Sequence, residues 1–330
     1  MMISETTNNF PWDDLETPWR QGEFVTQFIS EGVNPRKHRV FWARSWRNKP
    51  ALFLEYDATT WVHMDLPSFK NITVRDVQER GALTVELFET SMEAQELFLK
   101  VCNDIVESLQ KYPAEESRRV CIYRLQRWSA FLRPGRRKLS AEQQKGLIAE
   151  LNFLQRDVLA SQGPDAALDG WAGPDGGKRD FAYGQVLAEV KSKRDSAHHE
   201  IAISSEDQLS MSPSERLFLC VTELNSASGC HEGTFTLDDA VERVRGEFDS
   251  PFQREVFEGK LASAGYFEED DYSDSRWSEG SVSYYEVRDG FPCLCSEDLR
   301  PGVSRVNYYV DLNFCGDFLV DRETIVETMG

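Results

Sequence analysis

The order of periodic segments predicts an α/β protein. Three observations carry this. Residues 114–225 hold two helical patterns followed by short strand-like runs and one strongly apolar strand. Residues 1–113 are β-rich with a single helix, and residues 226–330 form an acidic α+β region. The 330 residues, 40% of them hydrophobic, can bury a real core and allow two domains or one large core with additions.

In the first region, residues 39–43 and 51–56 cluster β-formers around the turn-like Asn48-Lys49-Pro50, and 83–88 repeats the pattern. Residues 91–110 then form a helix, with Ala94, Leu97, Phe98, Val101 and Ile105 on one stripe. In the middle region, 117–132 is a basic helix ended by Pro134-Gly135. Ser140 with Gln143 forms a capping box for a helix running to about residue 159. A loop rich in Gly, Pro and Asp spans 161–178. Residues 181–183 and 186–192 read as a hairpin turning at Gly184-Gln185. Residues 200–203 and 217–224 are further strands, the second strongly apolar and buried. In the last region, helices over 237–248 and 251–264 precede strands at 283–287 and 306–312.

The net charge is −19, but it is unevenly spread. From residue 231 onwards there are 23 acidic and 9 basic residues. Residues 117–145 instead hold nine basic residues and one acid. Such a run serves either as a solvated helix face or as a phosphate-facing patch, with Arg124, Arg127, Arg133, Arg136, Arg137 and Lys138 as the candidate DNA contacts. The acidic tail suits a basic protein partner or repels non-specific DNA. No apolar run approaches the ~20 residues needed to cross a bilayer, and residues 1–13 lack the layout of a secretory signal. Seven scattered cysteines suggest reduced thiols and a cytoplasmic protein. The Cys293-x-Cys295 spacing is not that of a zinc knuckle.

Asp180 and the Glu189-Val190-Lys191 triplet carry the chemistry. Residues two apart on a strand share a face, so Glu189 and Lys191 point together and Ala188 and Val190 point away. The hairpin folds Asp180 back towards them. Mg²⁺ takes oxygen ligands and keeps several waters, so one or two carboxylates and a substrate phosphate suffice. A neighbouring ammonium can position water and offset developing negative charge. Glu150 is the third candidate acid, about 60° from the centre of its helix's apolar stripe. By spacing alone, the triplet reads as a cross-strand ion pair on a solvated face and Glu150 as an ordinary boundary residue.

Five blocks occur in order: Gly146-Leu147-Ile148-Ala149-Glu150-Leu151, Trp171-Ala172-Gly173-Pro174, Asp180-Phe181, Glu189-Val190-Lys191 and Ile203-Ser204-Ser205-Glu206-Asp207-Gln208-Leu209. Together they resemble the PD-(D/E)XK motif proteins, a prokaryotic family of nucleases often associated with restriction and anti-phage gene clusters. The likeness extends over most of the chain, including Gly290-Phe291-Pro292. It implies a restriction-endonuclease-like core, a mixed central sheet flanked by helices, and a site dependent on Mg²⁺ or Mn²⁺. Asp180 and Glu189 would be the metal ligands, Lys191 the water-positioning group, and Glu150 the acid from the first core helix. Gln208 would lie on a helix after the third core strand, close to metal or DNA. Ser205 and Gln208 also form a capping-box pattern, which gives Gln208 a purely structural role instead.

The sequence departs from the family pattern at Arg179, where proline would precede the aspartate. A literal Pro-Asp pair stands at Pro174-Asp175. Asp180 enters the β-rich run directly, whereas Asp175 sits among glycines. The glycine-rich 173–178 stretch lacks the Ser or Thr of an ATPase loop. His198-His199 has no acidic or cysteine partner at a useful spacing. Trp128 and Trp171 fit core positions better than base-stacking ones. The expected activity is endonucleolytic hydrolysis of DNA, alone or as a subunit of a defence complex with protein partners. RNA as substrate stays open, cutting both strands favours a homodimer, and the rival is a non-catalytic binding subunit with the same fold.

Overall fold

The computed structural model describes residues 10–29, 38–194, 199–295 and 298–330. His198 lies outside them. The chain divides into two compact units, Met1–Arg136 and Arg137–Gly330.

The first unit is an antiparallel sheet with two helices. Its strands are β1 (Phe24–Phe28), β2 (Val40–Ser45), β3 (Pro50–Glu55), β4 (Ile72–Val77) and β5 (Ala82–Leu87), in the order β1-β2-β3-β5-β4. Helix α1 (Met92–Leu109) starts at Ser91, whose side chain accepts from the Ala94 N–H, and buries Phe98, Val101 and Ile105 as the stripe requires. Helix α2 (Ser117–Phe131) is the basic one. Strands β1 and β4 were not expected from the sequence. Their residues are partly exposed or mixed with polar ones, so the alternation is blurred.

The second unit holds the candidate site. Helix α3 (Ala141–Phe153) begins with the expected capping box: the Ser140 hydroxyl accepts from Gln143 N, and Gln143 Oε1 accepts from Ser140 N. The helical path does not stop near residue 159. It passes through a π turn, Leu154–Val158, into α4 (Leu159–Gln162), then stops at Gly163, where φ is +74°, before α5 (Pro164–Gly170). At the π turn, fully buried Asp157 accepts from Arg322 Nε at 2.7 Å and from the Tyr284 hydroxyl at 3.0 Å.

Strands β6 (Phe181–Tyr183) and β7 (Val186–Lys193) form the hairpin around Gly184-Gln185. Gly184 has φ +61° and Gln185 does not, as a type II′ loop requires. Strand β8 (Glu200–Ile203) leaves the main sheet. Strand β9 (Arg216–Ala227) is central, parallel to β7 on one side and antiparallel to a later strand on the other, which explains its apolar run. After β10 (Thr234–Phe235) come α6 (Leu237–Arg245) and α7 (Pro251–Ser263), then β11 (Arg276–Val287), β12 (Tyr308–Asp311), β13 (Leu319–Val320) and α8 (Arg322–Met329). The sheet order is β10-β11-β9-β7-β6, with β13 added on β11, and β8 pairs β12 separately.

This is a mixed α/β architecture with antiparallel and mixed sheets, consistent with a PD-(D/E)XK-like fold. Two expectations are corrected. The strand at 200–203, expected as the third strand of the core, is hydrogen-bonded to β12 in a separate two-stranded sheet. The segment after it is a single 3-10 turn, Glu206–Leu209, rather than a helix. Leu217, Leu219 and Val221 pack with Ile201, Ile203 and Val310, so the β8–β12 pair covers one face of the main sheet. Register places Leu187, Glu189 and Lys191 of β7 opposite Leu217, Leu219 and Val221, hence on that same face.

Candidate active site

Each acid comes from a different element. Glu150 is near the end of α3, Asp180 immediately precedes β6, and Glu189 lies in the middle of β7. Asp180 Oδ2 accepts from the Val190 N–H at 2.7 Å, which fixes it beside the Glu189 peptide. Glu150 Oε2 accepts from the Trp171 indole N–H at 2.8 Å. A Cβ on Gly173 would stand 3.1 Å from both Asp180 Oδ1 and Glu150 Oε2, so those oxygens are at most twice that distance apart. Gly173 therefore leaves open the space that a side chain would fill between the two acids.

Glu189 is fully buried, and Lys191 Nζ lies 2.7 Å from its Oε1. That contact is an ion pair rather than a well-directed hydrogen bond, and Glu189 Oε2 accepts none. A buried carboxylate oxygen without a donor is costly and marks a place for a cation or water. Lys191 also donates to Gln208 Oε1 at 3.3 Å, and Gln208 Oε1 accepts from Ser204 N at 2.7 Å. Gln208 is thus beside the site, but not as a helix cap: Ser205 receives the N–H of Asp207 instead.

Crowding shifts the acids together. Burial pushes Glu150 well above the usual carboxyl range, with Asp180 adding to it and the Trp171 N–H opposing it. Burial raises Asp180, against the pull of Lys191 and the Val190 N–H. Glu189 is pushed up to about 8, first by burial and then by Asp180, despite Lys191. Acids buried this closely are relieved either by holding protons or by a nearby cation, and such perturbed carboxyls mark a candidate functional site. Among the described residues, no group of three or more His, Cys, Asp or Glu side chains is preassembled as a metal cage. Asp180, Glu189 and the unsatisfied Oε2 still match the one or two carboxylates that Mg²⁺ requires, because waters and substrate complete its shell.

Asp175, the alternative ligand, is turned to a different partner. It pairs with Lys260 Nζ at 2.6 Å and is exposed. Arg179 acts as a brace that no spacing in the sequence signals. It is buried, and its Nη1 donates to Lys178 O at 2.8 Å while Nη2 reaches Ser210 O, tying the start of β6 to the turn that bears Gln208. Trp171 is core, as expected, yet its N–H also serves Glu150. Nothing in spacing signals that bond, since the two residues are brought together only by folding.

A family model described as "Putative PD-(D/E)XK family member, (DUF4420)" matches residues 8–313. The chain belongs to that family. No curated protein and no solved structure matches it significantly. PD-(D/E)XK membership points to nuclease chemistry, and nucleases of this kind generally use divalent metals. DNA is the substrate that the family suggests.

The basic run belongs to the first unit up to Arg136. Arg118 is buried and donates to Asp76 Oδ2 at 2.5 Å, and Arg124 Nε donates to Asp104 Oδ2 at 2.9 Å. Trp128 Nε1 shares that Asp104 oxygen at 2.9 Å. Arg133, Arg137 and Lys138 are exposed, while Arg127 and Arg136 are half-buried. All seven cysteines are free. No helix among the described residues is long and apolar enough to cross a membrane.

Proposed function

We propose that the chain is a metal-dependent endonuclease for DNA, acting alone or as the nuclease subunit of a bacterial restriction or anti-phage defence system. The observation that supports this best is that Glu150 and Asp180 face each other across Gly173 while Glu189, one residue from the Val190 N–H that binds Asp180, pairs with Lys191 and keeps an oxygen without a donor. Asp180 and Glu189 are the residues that would hold Mg²⁺ or Mn²⁺, with Glu150 completing the acidic set. A bound divalent ion lowers the pKa of water and steadies negative charge on the phosphate.

The chain's own groups do the rest. Lys191, which contacts Glu189 and Gln208, would orient the attacking water and offset charge that develops on the phosphate. Gln208 limits where the ammonium can move. Arg127, Arg133, Arg136, Arg137 and Lys138 supply phosphate contacts, with Arg124 already committed to Asp104. Purified protein with Mg²⁺ should nick or cut duplex DNA, and the Lys191→Ala protein should not. Intact DNA with both metals, with and without gene-cluster partners, rejects this reading.

A second reading follows from the Lys191–Glu189 ion pair, which already neutralises the buried acid. In it the chain is a non-catalytic DNA- or protein-binding subunit, its acidic C-terminal region docking a basic partner. Metal titration separates the two: saturable Mn²⁺ binding that disappears in Asp180→Ala and Glu189→Ala supports the nuclease.

A further inference from the structure

We propose that Trp171 is a positioning residue that fixes the Glu150 carboxylate over Asp180, with Lys260 as its anchor. What the carboxylate is then used for rests on the nuclease reading. The indole is fully buried, near-parallel to Phe181 at 6.4 Å and tilted against Phe257 at 6.0 Å. A buried indole N–H needs an acceptor, and here it takes a carboxylate oxygen of the site rather than a carbonyl. That oxygen, Glu150 Oε2, is the one that faces the Gly173 space shared with Asp180 Oδ1. The bond therefore sets which way the carboxylate looks.

The backbone around Trp171 is held as firmly as its ring. Buried Lys260 donates to Trp171 O and to Asp175 Oδ2, both at 2.6 Å. Ala172 N and Gly173 N both donate to Asp180 O, at 2.8 and 3.0 Å. One short segment thus grips Glu150 by a side chain and Asp180 by its main chain. Glu150 sits on a helix and Asp180 beside the sheet, so this segment is the brace that keeps the two acids in register. The same three-part grip lays Gly173 against both acids, where it has no side chain to block a phosphate.

The test uses the full chain. Trp171→Phe keeps a six-membered aromatic ring in the core and removes the N–H with the rest of the five-membered ring, so its melting temperature is measured beside its kinetics to separate the lost bond from the cavity left in this buried site. The Trp171 indole signal, identified by its disappearance in Trp171→Phe, should shift in the ¹H–¹⁵N spectrum of Glu150→Ala. Trp171→Phe should lower kcat for DNA with Mg²⁺ by about 10- to 100-fold, the usual cost of removing an outer partner of a metal site, with KM unchanged. The double variant should lose little more than Glu150→Ala alone, because both act through one group. Lys260→Met should show the same split between kcat and KM. An indole signal blind to Glu150→Ala, or losses that multiply, overturns the proposal even if the wild type cuts DNA. A shifted signal in a protein that neither binds Mn²⁺ nor cuts DNA sinks the nuclease reading and leaves the positioning of Glu150 standing.

Discussion

Gly173 shows how much one missing atom decides. Its φ is negative, so the backbone there suits alanine as well as glycine. The added Cβ would press at 3.1 Å on Asp180 Oδ1 and Glu150 Oε2, tighter than ordinary contact. Gly173→Ala should leave the melting temperature within a few degrees of wild type while weakening Mn²⁺ binding at least tenfold by calorimetry. Unchanged affinity would mean that the cation, if any, sits elsewhere. The two aspartates differ just as plainly. Asp175→Ala should keep metal binding and Asp180→Ala should lose it, since Asp175 is held by Lys260 and Asp180 faces Glu150. The opposite result moves the ligand to the literal Pro-Asp pair.

Elements behave by local rules, and two of them give clean tests. Ser140 caps α3, the helix that carries Glu150. Ser140→Ala should cost about 1 kcal/mol of stability by urea unfolding, and a change well below that would show that the cap contributes little. In the first unit, β4 and α2 are tied by Asp76, which accepts from Arg118, the Tyr56 hydroxyl at 2.6 Å and Trp61 Nε1 at 3.0 Å. Burial alone would raise the Asp76 carboxyl, but these donors, Arg118 first, outweigh it and hold it below its ordinary value. A depressed carboxyl stabilises fully above its unfolded pKa of about 3.9, and that stability drains as pH falls through the lower folded value. Between about pH 5 and 2, wild type should therefore lose more stability than Asp76→Asn. Parallel curves would place the acid sensitivity in other groups.

For the whole molecule, the site and the charge distribution make separate predictions. A ligand that binds only the folded chain stabilises it by mass action, about 2.7 kcal/mol at a hundredfold excess over Kd. Mg²⁺ or Mn²⁺ should thus raise the melting temperature, EDTA should reverse the rise, and Glu189→Ala should show neither. Replacing Arg133, Arg137 and Lys138 with alanine should flatten the dependence of log K for DNA on log salt, by about one unit of slope for each phosphate no longer neutralised. An unaltered slope assigns those residues to a solvated face. Much of this was legible beforehand. Period-two alternation put Glu189 and Lys191 on one face, the Ser140-Gln143 spacing fixed the start of α3, and the apolar 217–224 run announced a strand covered on both sides, because these are short-range consequences of backbone geometry. Folding alone decided which distant groups meet. It joined Trp171 to Glu150 and Lys260 to Asp175, buried Arg118 on Asp76, and turned the segment after β8 into a single turn beside Lys191. Such pairings depend on where whole elements cross in space, and no spacing along the chain encodes a contact between residues that only packing makes neighbours.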